Sequence, residues 1–197
     1  RAVLRENGPR ERVRARRVDE VEEVPPGSHI VFSAHGVSPA VVQGAADRGL
    51  AAIDATCPLV TKVHLEARRF AVRDFTILLI GHADHVEVEG VVGEAPDRTI
   101  VVATTAEAEK VEVPDPTKIG VVTQTTLSVD ESTQVMKVLQ RRFPKLRTPR
   151  KEDICYATTN RQMAVKSLRG KVDLWLVIGD PMSSNSNRLR ELGADSG

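Results

Sequence analysis

From Val24 onward the chain repeats one rhythm: a short apolar run, a polar loop, then apolar positions three or four residues apart. The runs are His29-Ile30-Val31-Phe32-Ser33, Leu50-Ala51-Ala52-Ile53, Thr76-Ile77-Leu78-Leu79-Ile80, Thr99-Ile100-Val101-Val102-Ala103, Lys118-Ile119-Gly120-Val121-Val122 and Val172-Asp173-Leu174-Trp175-Leu176-Val177-Ile178. Short runs of this kind, rich in Val, Ile and Leu, read as strands covered on both faces. The stretches between them read as helices. Val41, Val42 and Ala45 share one face, and Leu59, Val63, Ala67 and Phe70 form another stripe. Pro58 suits a first helical turn. Thr104 with Glu107, and Ser128 with Glu131, form capping boxes. Pro144 ends the second of these helices after Phe143. Strands alternating with helices predict an α/β fold of small, mainly parallel sheets flanked by helices.

Composition narrows the core and the class. Aromatics make up 3% of the 197 residues, so the interior must be Val, Leu, Ile and Ala. The formal net charge of +1 gives no global attraction to nucleic acid or to a membrane surface. No apolar run reaches spanning length. The start lacks both a signal-peptide apolar region and a Met, so the chain is expected to be cytoplasmic and a piece of something longer. Arg10-Glu11-Arg12-Val13-Arg14-Ala15-Arg16-Arg17 has no apolar face and no interleaved aromatics; it reads as a solvated helix or tail rather than a nucleic-acid arm.

The chemistry gathers at one end of the strands, where ligands bind in such sheets. His35, Cys57, the stretch His82 to Glu89, Thr123 to Thr126, Cys155, and Ser183 to Asn187 all follow apolar runs. The two cysteines are expected to follow a strand and open a helix, where the helix dipole favours thiolate, the form that ligates iron or zinc. Against that, a lone cysteine is commonly an inert buried thiol, and the separation excludes compact CxxC patterns. His85, Glu87 and Glu89, taken as strand-like, project to one face. They offer acid–base groups, and His82, His85 and Cys57 offer a zinc alternative of hydrolase type. The bland reading of the same stretch is a solvated loop. His29 and His64 are taken as structural. Thr123-Gln124-Thr125-Thr126 and Ser183-Ser184-Asn185-Ser186-Asn187 carry more hydroxyls and amides than capping needs. Neutral donors at helix starts can hold a phosphate. Neither GxGxxG nor GxxxxGK[ST] occurs.

Five segments together resemble the LytB family of 4-hydroxy-3-methylbut-2-enyl diphosphate reductases. They are Phe32 to Ser38, Asp54 to His64, Thr123 to Asp130, Asp153 to Gln162 and Ser183 to Leu189. The resemblance covers about Val18 to Leu192. It implies part of a three-domain, pseudo-threefold arrangement around a central cavity. The division would be a basic segment 1–17, the remnant of a first α/β domain 18–57, a second domain 58–152 and the start of a third 153–197. The implied activity is reductive removal of an allylic hydroxyl from a small diphosphate, giving isopentenyl and dimethylallyl diphosphates. A 4Fe–4S cluster would be the cofactor and ferredoxin or flavodoxin the electron donor. The resemblance makes Cys57 and Cys155 cluster ligands and Glu87 the proton source. His35, His85, Thr125, Ser183, Ser184 and Asn185 become substrate-binding residues. The family uses a third cysteine that this sequence lacks, so the chain is expected to be a fragment not competent alone. A truncated remnant or scaffold without a cluster is the alternative.

Overall fold

The computed structural model describes residues 2–5, 14–149, 153–181 and 183–194. The apolar runs after Thr76, Thr99 and Lys118 become β5 (Thr76–Ile80), β6 (Thr99–Val102) and β7 (Ile119–Thr123). They form a parallel sheet in the order β6-β5-β7. Period-two alternation divides β5 between two cores. Ile77 and Leu79 face α2 (Pro58–Val72) and α3 (Val86–Val92), packing with Val63, Ala67, Phe70, Val88 and Val91. Leu78 and Ile80 face α4 (Thr105–Lys110) and α5 (Val129–Arg142), packing with Ala108, Val135 and Leu139. Covering both faces is what permits so continuous an apolar strand.

Close packing at Gly120 is testable. A Cβ built there would lie 2.4 Å from Phe70 Cγ, inside the ring's van der Waals envelope. Gly120→Ala is therefore expected to destabilise the fold by about 1–3 kcal/mol through overpacking. Adding Phe70→Leu should recover most of that loss in urea unfolding.

The second sheet has the order β2-β1-β3-β4, with β1 (Ala2–Arg5), β2 (Arg14–Arg17), β3 (His29–Phe32) and β4 (Ala51–Asp54). Only β3 and β4 pair in parallel; β1 runs antiparallel to both β2 and β3. The end of the basic run is thus an edge strand, not a solvated helix or tail. Arginines on an edge discourage further strand pairing. Ile30 and Phe32 pack with Val18, Val21, Val24 and Ala45 of α1 (Pro39–Asp47). Val42 points outward at 48% exposure, so the buried stripe of α1 is narrower than its spacing implied.

Two further expectations change. The run Val172 to Ile178 forms no strand among the described residues, and Leu174 and Ile178 are 82% and 89% exposed. Its composition suits a buried strand, but no described strand lies beside it to share a ladder. Cys155 likewise follows no described strand: before it, Arg147 makes a single parallel bridge to Gly120. The capping boxes are half-formed. Thr104 and Ser128 accept the expected N–H groups. Glu107, however, reaches Ala103 N–H, and Glu131 is drawn to Arg188. No helix among the described residues is long and apolar enough to cross a membrane.

Candidate functional site

The cysteines, the His82 to Glu89 stretch and the Ser183 to Asn187 run each sit at the start of a helix. Cys57 caps α2 with Pro58 in its first turn, and Cys155 caps α6 (Tyr156–Ser167). Neither side chain makes a capping hydrogen bond, and both thiols are free and partly exposed. The fold uses the backbone of each cysteine and leaves its sulfur unused.

The stretch after β5 is not strand-like. His85 caps α3, its Nδ1 accepting the Glu87 N–H at 3.1 Å. Helical geometry separates the three groups that period two placed together: Glu87 turns inward at 1% exposure and Glu89 outward. With Nδ1 occupied as an acceptor, the neutral His85 ring carries its proton on Nε2, where it can donate. Burial lowers the His85 pKa, and the neighbouring His35 and His82 lower it further.

Glu87 meets the loop after β7. Its Oε1 accepts the Thr125 N–H at 2.6 Å, and its Oε2 accepts the Thr125 hydroxyl at 3.0 Å. Burial raises its pKa above the ordinary carboxyl value, and the two Thr125 bonds only partly oppose this. A carboxyl of this kind retains its proton further up the pH scale than an exposed one.

The sign of the linkage follows. The folded chain holds the Glu87 proton more tightly than the unfolded chain. Its contribution to stability is complete below pH 4.5, the ordinary value, and is lost as pH rises through the raised folded value. His85 acts oppositely, since its lowered pKa removes stability as pH falls below 6.5. A difference isolates Glu87: Glu87→Gln should gain melting temperature relative to the parent as pH rises from 4.5 towards neutrality. A pH-independent difference would contradict the buried, proton-holding carboxyl.

A chain of contacts joins the remaining residues. The His35 and His85 rings meet edge to face, with centroids 5.6 Å apart. Ala34, beside His35, accepts the Cys57 N–H, and Thr125 accepts the Cys155 N–H, both at 3.0 Å. The Ser184 hydroxyl donates to the Thr126 carbonyl at 3.4 Å. Ser183, just before α7 (Ser184–Ala194), accepts the Ser186 N–H at 3.3 Å and so keeps its own hydroxyl proton for another group. Asn185 Oδ1 is buried without a partner. All nine candidate residues therefore lie on one connected set of loops and helix starts. Of two open clefts of about 450 and 400 Å³, neither is lined by the histidines, Glu87 or the cysteines, but the second borders the start of α7 at Ser186 and Asn187.

Three buried polar groups brace these loops in ways the sequence did not indicate. Gln124 accepts the His82 N–H and donates to Thr126, fastening the His82 loop to the Thr125 loop. Gln162 of α6 bonds the Leu127 carbonyl and the Val129 N–H at the head of α5. Asp153 accepts from Lys62 Nζ and from Thr123 N–H. A polar run after an apolar strand was the available signal for Gln124. Nothing in the local pattern marked the other two.

Two thiols on separate helix starts match the chemistry of two thiolate ligands to an iron–sulfur cluster. The zinc alternative of His82, His85 and Cys57 gains no support: among the described residues no three His, Cys, Asp or Glu side chains gather closely enough to hold a metal ion.

Residues 6–197 match the LytB protein family model. The 4-hydroxy-3-methylbut-2-enyl diphosphate reductase of Leifsonia xyli subsp. xyli is 59% identical over 180 residues, covering 91% of this chain and 53% of that protein. The reductase of the same name from Neisseria meningitidis serogroup C is 55% identical over 181 residues, covering 91% and 56%. The solved E-1-hydroxy-2-methyl-but-2-enyl-4-diphosphate reductase from Plasmodium falciparum superposes with a TM-score of 0.85 at 40% identity, covering 90% of this chain and 56% of that one. The chain spans about half the length of the curated relatives it matches.

Proposed function

This chain belongs to the LytB family, and on that premise we propose that it carries part of a reductase that removes the allylic hydroxyl of 4-hydroxy-3-methylbut-2-enyl diphosphate. The observation that carries the reading is the Glu87–Thr125 pair, a buried carboxyl with a raised pKa bonded to a hydroxyl on the loop that also fixes Cys155.

The overall conversion takes up two electrons and two protons and releases water with isopentenyl or dimethylallyl diphosphate. Cys57 and Cys155 would hold a 4Fe–4S cluster, which when bound supplies the electrons; ferredoxin or flavodoxin would deliver them to it. The chain's own residues manage charge and protons. A hydroxyl is a poor leaving group until protonated. Burial disfavours the Glu87 anion and so favours retention of its proton, and Thr125, donating its N–H to Oε1 and its hydroxyl to Oε2, holds the carboxyl in place. His35 and His85, whose rings meet edge to face, would present imidazole donors to the substrate, His85 from the cap of the helix that carries Glu87. Ser183, Ser184 and Asn185 would cradle the diphosphate with neutral groups at the start of α7, where the helix dipole favours an anion.

The test is turnover in a chain of the relatives' length that contains these residues, supplied anaerobically with a chemical reductant. The expected products are the two five-carbon diphosphates. Formation of neither, with the cluster spectroscopically intact, would contradict the proposal.

A further inference from the structure

A partly buried ion pair joins the two stretches of chain that carry the cysteines. Lys62 lies in the second turn of α2, the helix Cys57 caps, and its Nζ donates to Asp153 Oδ1 at 2.9 Å. Asp153 stands two residues before Cys155, its side chain almost wholly buried. Its other oxygen accepts the Thr123 N–H at 3.0 Å. Thr123 ends β7 and leads into Thr125, the partner of Glu87. One carboxylate is thus bonded to the helix of Cys57 and the loop of Thr125 while lying on the approach to Cys155.

Such a pair is a weak source of net stability, because both charges leave water. Nor does α2 need it for attachment: Val63, Ala67 and Phe70 already pack the helix on the sheet. Apolar contacts, however, allow sliding and rotation, whereas charge-assisted hydrogen bonds from both oxygens of one carboxylate fix direction and separation. Exposed pairs such as Arg98–Asp74 lack this placement.

We propose that Asp153, held by Lys62, is a positioning residue that sets the two cysteine-bearing helix starts against each other and against Thr125. The inference rests on the reading of Cys57 and Cys155 as ligands of one centre. Asp153 acts through the backbone and α2.

Cobalt(II) titration of the 197-residue chain under anaerobic conditions tests it, since the sulfur-to-cobalt charge-transfer band reports how many thiolates bind the ion. The unmodified chain should bind one Co²⁺ through both sulfurs. Lys62→Met and Asp153→Asn should each weaken Co²⁺ binding by about ten- to a hundred-fold, the usual reach of groups behind metal ligands. Each should also reduce the band to that of one thiolate, with cooperative melting retained. Lys62→Arg keeps the charge and should restore both thiolates; it also serves, with Asp153→Asn, if the Met variant does not fold. Arg98→Met should bind as the unmodified chain does. Unchanged affinity and a two-thiolate band in Lys62→Met and Asp153→Asn would overturn the positioning role. A one-thiolate band in the unmodified chain would instead overturn the joint-ligand reading, and the positioning role with it.

Discussion

Replacing Glu87 with glutamine, in a chain of the relatives' length, is expected to lower turnover by about 10²- to 10⁴-fold, the range typical of losing a general acid. Glutamine preserves the shape and can still accept the Thr125 N–H. It cannot release a proton. The cluster should be unaffected, because the Glu87 carboxyl is bonded to Thr125 rather than held at a cysteine. Cluster absorption should therefore match the parent while product formation collapses. Thr125→Val should lose less, since it removes the hydroxyl but leaves the carboxyl and the backbone bond. Full activity in Glu87→Gln would remove the proton-donor role, and loss of the cluster would reassign Glu87 to assembly.

Cys57→Ser and Cys155→Ser are each expected to bring the 4Fe–4S signal of the same chain close to background. A serine hydroxyl is a far harder and less acidic donor than a thiolate, the ligand that holds such clusters. The fold should tolerate either change, because each cysteine contributes its backbone to the helix cap and no side-chain hydrogen bond. Circular dichroism and melting temperature should stay near the parent while iron content falls. Retained iron with an unchanged EPR signal in either variant would show that the cysteine in question is not a ligand.

The sheet that supports these residues was legible in the sequence because β5 and β7 are buried on both faces and run nearly without interruption. The cysteine caps were legible too, Pro58 marking the helix start after Cys57. What failed did so for identifiable reasons. His85-Val86-Glu87-Val88-Glu89 alternates as a strand would, but His85 caps the following turn, and Val88 and Val91 reach one core only on a helix. Of the two acids there, only packing decides which is buried. Residues 172–178 carry strand composition, yet a strand also needs a neighbour, which local pattern does not reveal. The edge strand Arg14–Arg17 was hidden because an edge imposes little apolar patterning. Asp153 follows Arg150, Lys151 and Glu152 in a run of charges, and its inward turn depends on Lys62, 91 residues away.

The account stands on Cys57 and Cys155 facing one centre. They are the only cysteines in the chain, so nitroxide labels can be attached to both native thiols without engineering. The electron paramagnetic resonance spectrum of the doubly labelled protein should show strong dipolar broadening, relieved when either cysteine is replaced by serine or when the chain is unfolded in urea. A doubly labelled spectrum equal to the sum of the two singly labelled spectra would place the sulfurs apart and contradict the shared site.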